Sequence, residues 1–154
     1  MSFFTSYDET TAPEASRPLL ESAKKAYGSV PGLYAVMAEA PELLKAYHAV
    51  HEQFANSGFS AEELTVVWQA INVENGCTYC VPAHTAIANS MGVDAAISNA
   101  LRDQTPLPDA RLEALRDFTL TLVRERGHVS EAEMQKLLDA GFTRRNILGV
   151  ILGY

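Results

Sequence analysis

The sequence predicts an all-α fold, on three observations. No segment of the 154 residues alternates apolar with polar side chains in the β-branched pattern of a half-buried strand. Apolar residues recur instead at helical spacing, most cleanly as Leu112, Leu115, Phe118, Leu122 and Val123. Capping residues and glycines divide the chain into helix-sized blocks.

Residues 1–14 are polar, include Thr10-Thr11-Ala12-Pro13, and read as a flexible N-terminal arm ahead of one helical domain over 15–154. The first helices fall over Ser16 to Tyr27, just after Pro31, and over Pro41 to Asn56 with Gly58 beyond. Ser60-Ala61-Glu62-Glu63 has the form of a capping box, and Leu64, Val67, Trp68 and Ile71 follow at helical spacing, so a buried helix is expected over about 61–74. Asn75-Gly76 ends it with the two residue types best able to take positive φ.

The next helix is expected to start at or near Cys77, with Pro82 tolerated in its first turns, and to stop at Gly92. Asp94 caps a short helix to Leu101, and Thr105-Pro106-Leu107-Pro108 is a loop. Asp109 to Arg126 is amphipathic and closes at Gly127. Ser130-Glu131-Ala132-Glu133 repeats the capping form for a helix to Ala140, and Thr143 opens another. The apolar stretch Ile147 to Tyr154 is read as buried in the core, buried between subunits, or the start of a longer helix.

Composition narrows the function classes. At this length about two thirds of the unfolded surface can be buried, and 47% of the residues are apolar, which excludes disordered and collagen-like chains. Twelve basic residues against nineteen acidic give a net charge of −7, with no basic cluster. Nucleic acid and anionic membrane surfaces are therefore not expected partners. No apolar stretch approaches the roughly 18 residues that span a bilayer, and Met1 to Glu9 lacks the basic start of a signal peptide, which reads as a cytoplasmic protein.

Two cysteines are too few for a framework of bridges, and they stand together as Cys77-Thr78-Tyr79-Cys80. On a helix Cys77, Cys80 and His84 share one face, with the imidazole one turn beyond the second thiol. Thiolate is the reactive form of cysteine, and helix N-termini and imidazoles both favour it. With a helix starting at Cys77 the dipole, worth roughly 0.3–1 kcal/mol, acts most on Cys77. His84 acts on Cys80, and a specific base outweighs a diffuse dipole. Cys80 is thus the expected attacking thiolate and Cys77 the resolving thiol. A peroxide would oxidise Cys80 to a sulfenic acid that Cys77 converts to a disulfide.

Other chemistries fit the spacing less well. A c-type haem site needs His directly after the second cysteine, where Val81 stands, and a zinc ribbon needs a second cysteine pair. Zinc held by Cys77, Cys80, His84 and His48 or His51 has suitable ligands but not the usual spacing. The plain alternative is that both thiols only pack in a helical assembly module.

Glu74-Asn75-Gly76-Cys77-Thr78-Tyr79-Cys80-Val81-Pro82-Ala83-His84 resembles the signature of the AhpD-like alkylhydroperoxidases within the carboxymuconolactone decarboxylase superfamily. The resemblance runs from Ser60 to about Gly92. It implies an all-α AhpD-like domain with the cysteine pair at the start of a central helix, Cys80 peroxidatic, Cys77 resolving and His84 in a proton relay. It further implies a hydroperoxide substrate, no cofactor, a dithiol reductant such as a lipoyl-bearing protein, and assembly into trimers or hexamers. The decarboxylase branch of the superfamily is expected to lack the cysteine pair.

Two positions depart from the pattern. The family relay has a Glu twelve residues before the first cysteine, where this chain has Thr65, and a His between the cysteines, where it has Tyr79. Neither replacement shuttles protons near pH 7. On the helix face of Thr65, Glu62 stands one turn before and Gln69 one turn after, while Glu62 and Glu63 read as helix caps. Glu74 is the carboxylate expected to serve the relay. His48 and His51 read as half-exposed surface, His128 as loop, and Trp68 and Tyr79 as core.

Overall fold

The computed structural model describes residues 3–154, and every regular element among them is helical. The chain forms two compact units, residues 1–52 and 53–154.

In the first unit a 3₁₀ turn, Glu14–Ser16, leads into α1 (Arg17–Tyr27), followed by α2 (Gly32–Met37) and α3 (Pro41–Ala55), whose last turn enters the second unit. Ala12, Leu20, Ala23, Tyr34, Ala38 and Leu44 form its core. Part of the segment read as an arm belongs to that core: Ala12 is 1% exposed, and the Tyr7 N–H donates to the Ala35 carbonyl at 3.0 Å. Asp8 organises this stretch by accepting from the backbone and hydroxyls of Thr10 and Thr11, which pull its pKa down.

In the second unit α4 (Ala61–Glu74) is the central helix, with α5 (Cys80–Ser90), α6 (Ala95–Asp103), α7 (Ala110–Arg124) and α9 (Arg144–Gly153) packed on it, and α8 (Glu131–Asp139) against α7 and α9. Helix α4 has no solvent face over its middle two turns: every residue from Glu63 to Ala70 is buried. Its start is the expected capping box, Ser60 Oγ accepting from the Glu63 N–H and the Glu63 carboxylate accepting from the Ser60 N–H. The remaining Glu63 oxygen accepts from Arg111 of α7, which satisfies a carboxylate that would otherwise be buried alone.

The later boundaries follow their caps. Asp94 accepts from the Ala96 N–H, Asp109 from Arg111 and Leu112, Ser130 from Glu133 and Thr143 from Asn146. Helix α6 runs two residues past the expected Leu101, ending at Gln104 with φ 55°. The apolar C-terminal stretch is divided. Ile147, Gly149 and Val150 are buried, whereas Leu148, Ile151, Leu152 and Tyr154 are exposed.

Candidate redox site

The turn between α4 and α5 is built around one glycine. Gly76 takes φ +61°, which lets its own N–H reach the Val73 carbonyl and the Cys77 N–H reach the Asn72 carbonyl, both at 3.0 Å. This is a Schellman closure, and it fixes Cys77 as the residue that completes α4.

Cys77 also opens the next helix. Its carbonyl accepts from the Val81 N–H at 3.2 Å and its Sγ accepts from the Cys80 N–H at 3.0 Å. The regular helix starts at Cys80, three residues later than the sequence spacing indicates. The reason is Pro82, which has no N–H to give to the Thr78 carbonyl and so breaks the ladder across the first turn. Cys80, and not Cys77, is therefore the first helical residue. The helix N-terminus acts on both sulfurs, because the Cys80 N–H is given to the Cys77 Sγ.

Cys77 and Cys80 form a disulfide with a Cα–Cα distance of 5.3 Å, inside the range such bonds need. Both are half-buried, as is His84. Side chains on a helix lean toward its N-terminus, so four-residue spacing sets the His84 imidazole over the turn that carries Cys80. Its ring lies 5.0 Å from the Trp68 ring of α4, tilted by 50°. Trp68 is 8% exposed and is core as expected, but Tyr79 is 46% exposed and is not.

Beneath the pair, Gln69 supplies the polar tie between α4 and α5. It is fully buried, donates to the Val81 carbonyl at 3.1 Å and the Thr85 Oγ1 at 2.9 Å, and accepts from Asn72. Thr85 in turn donates to the Val81 carbonyl at 2.8 Å. The sequence signal for this network was a glutamine inside the apolar run Val66-Val67-Trp68-Gln69-Ala70-Ile71, on the face of Thr65.

The residue standing where the family has its Glu and the carboxylate expected to serve in its place are both committed elsewhere. Thr65 is 1% exposed and donates its hydroxyl to the Ala61 carbonyl at 2.8 Å. Glu74 ends α4, and both its oxygens accept from Arg124 of α7 at 2.8 Å. That guanidinium holds the Glu74 carboxyl below its ordinary value, the direction that weakens a base. His48 and His51 belong to the first unit, where they contact the rings of Tyr34 and Tyr47. Burial, then the nearby His48, push the His51 pKa down. His128 is exposed beside Gly127, and no cluster of three or more metal-ligating side chains occurs among the described residues.

No protein-family model matches the chain, and neither does any curated protein. Solved structures do. One is an alkylhydroperoxidase AhpD core, an uncharacterized peroxidase-related protein from Ralstonia eutropha JMP134. It has a TM-score of 0.86 at 22% identity, over 97% of this chain and 81% of that one. Another is an uncharacterized peroxidase-related protein from Silicibacter sp. TM1040. It has a TM-score of 0.81 at 25% identity, over 99% of this chain and 83% of that one. The chain has an all-α AhpD-like fold, and a cysteine pair opens one of its helices.

Proposed function

We propose that the protein is a thiol-dependent peroxidase working through Cys77 and Cys80. In the reduced pair His84 takes the proton from Cys80. The Cys80 thiolate attacks the outer oxygen of a hydroperoxide, the O–O bond breaks, and His84 returns the proton to the leaving alkoxide. The Cys80 sulfenic acid then meets the Cys77 sulfur, water leaves, and the disulfide forms. A dithiol restores the pair, becoming a disulfide itself.

The observation that carries this reading is the closed Cys77–Cys80 pair at the N-terminus of α5 with His84 one turn beyond. The peroxidase-related names of the structural neighbours support it. Glu74 enters as a positioning residue rather than a base, because its pair with Arg124 anchors the end of α4 from which Cys77 departs. Assembly into a homo-oligomer belongs to the same reading and is supported by the exposed apolar residues of α9. So does a cytoplasmic location, which would keep the pair reducible; no helix among the described residues is long and apolar enough to cross a membrane.

Titrating thiols before and after stoichiometric cumene hydroperoxide tests the proposal. The reduced chain should lose both thiols, Cys77→Ser should stop at a sulfenic acid, and Cys80→Ser should not react. Survival of the wild-type thiols would sink it. A thiol–disulfide reductase without peroxide specificity is the second reading, favoured by Thr65 standing where the family has its relay Glu. Rapid exchange with dithiols and no reaction with hydroperoxide would select it.

A further inference from the structure

We infer that the reductant enters at Cys77 and not at Cys80, through a groove beside the disulfide that also selects the reductant's charge. The inference rests on the redox reading of the pair. The groove, of about 360 Å³, has apolar walls from Val73, Val81 and Pro82, with Gly76, Cys77 and Arg102 of α6 also in its lining. Among the described residues, neither Cys80 nor His84 lines this groove, and Arg102 is the charged residue in its wall.

Thiol–disulfide exchange is an in-line displacement, in which the incoming thiolate approaches the attacked sulfur from the side opposite the bond that breaks. Open space on one sulfur therefore decides which one is attacked. In the first step the thiolate of the reductant bonds to the Cys77 Sγ, the Cys77–Cys80 bond breaks, and Cys80 departs as a thiolate. That charge appears at the first residue of α5, one turn from His84. In the second step the other thiolate of the reductant attacks its own bridged sulfur and Cys77 departs. Its charge falls on the atom that already accepts the Cys80 N–H. Two electrons pass to the pair, and the two protons of the dithiol end on the cysteines. Each leaving sulfur thus has its own stabilising group.

The lining also describes the reductant: a dithiol on an apolar arm that carries negative charge toward Arg102. Arg102 is paired with its neighbour Asp103 at 3.0 Å, but both side chains are about half exposed, 48% and 55%. Such a pair is weak enough to give way to a ligand.

The test uses the full chain oxidised with diamide and no peroxide, so that it stands whether or not hydroperoxides are substrates. A pulse of 6-mercaptohexanoate, rapid quenching with N-ethylmaleimide and fragment-ion mapping should find the adduct on Cys77 and the maleimide on Cys80. An adduct predominantly on Cys80 overturns the inference. Reduction rates by dihydrolipoate and dihydrolipoamide, which share an arm and differ in charge, test the groove. Arg102→Gln should slow dihydrolipoate about threefold, the scale of one partly exposed charge contact, and leave dihydrolipoamide unchanged. An equal effect on both, no effect on either, or failure of both dithiols to reduce the wild-type chain overturns it. A chain that exchanges at Cys77 yet ignores hydroperoxide supports the inference and sinks only the peroxidase reading.

Discussion

Gly76 shows how much of the site depends on one backbone angle. A Cβ added there meets nothing within 4 Å, so the whole cost of substitution lies in φ +61°. Gly76→Ala should lower stability by about 1 kcal/mol, the scale of a left-handed L-residue. Gly76→Asn should cost less, because asparagine visits that region more readily. Urea denaturation of the two variants measures the difference, and equal losses would show that the turn is not held left-handed. Glu74 gives a pH signature. Its folded pKa lies below the ordinary carboxyl value of 4.5, so the pair with Arg124 stabilises the fold above that pH and is lost as pH falls through the depressed value. With Arg124 half exposed, the pair contributes about 0.5 kcal/mol. The stability difference between wild type and Glu74→Gln should be flat near neutrality and vanish in acid; a difference that grows in acid would reverse the assignment.

At the scale of elements, the polar tie between α4 and α5 controls where the cysteine helix sits. Gln69 is the donor that holds the Val81 carbonyl and Thr85 from inside α4. Gln69→Leu keeps the volume but withdraws those donors, leaving buried acceptors less satisfied at about 1–3 kcal/mol. Because Val81 and Thr85 flank His84 on α5, the variant should also slow dithiol exchange of the folded protein. Gln69→Glu should keep the acceptor for Asn72 but withdraw the donors to Val81 and Thr85, and so should not rescue the rate. Stability loss with an unchanged exchange rate would confine Gln69 to a structural part. These boundaries were unevenly legible. Helix α4 matches its expected span because Ser60, Glu63 and Gly76 are local signals that tertiary contacts reinforce. The start of α5 was misplaced because the missing Pro82 donor acts on Thr78, four residues upstream. The partner of Glu74 was illegible for a different reason: Arg124 lies fifty residues away in sequence, and only the packing of α7 on α4 brings it to Glu74.

For the whole molecule, the question is whether the disulfide stabilises the fold or works upon it. The motif Cys77-Thr78-Tyr79-Cys80 was legible as redox chemistry because its three-residue spacing is local, and that same spacing limits its structural value. Closing a loop of about four residues removes only about 2 kcal/mol of chain entropy from the unfolded state. The second unit does not need it, since its core already runs from Phe54 through Val67, Leu115 and Leu122 to Val150, each 1% exposed or less. Reduction should therefore leave a folded protein with an unchanged far-ultraviolet spectrum. Its thermal midpoint should fall by about 4–8 °C, given roughly 2–4 °C per kcal/mol at this chain length. A reduced chain that unfolds outright would mark the disulfide as structural and remove the basis for cycling it. A reduced chain that stays folded can open and close the pair repeatedly, which is what a dithiol-driven reaction at Cys77 and Cys80 requires.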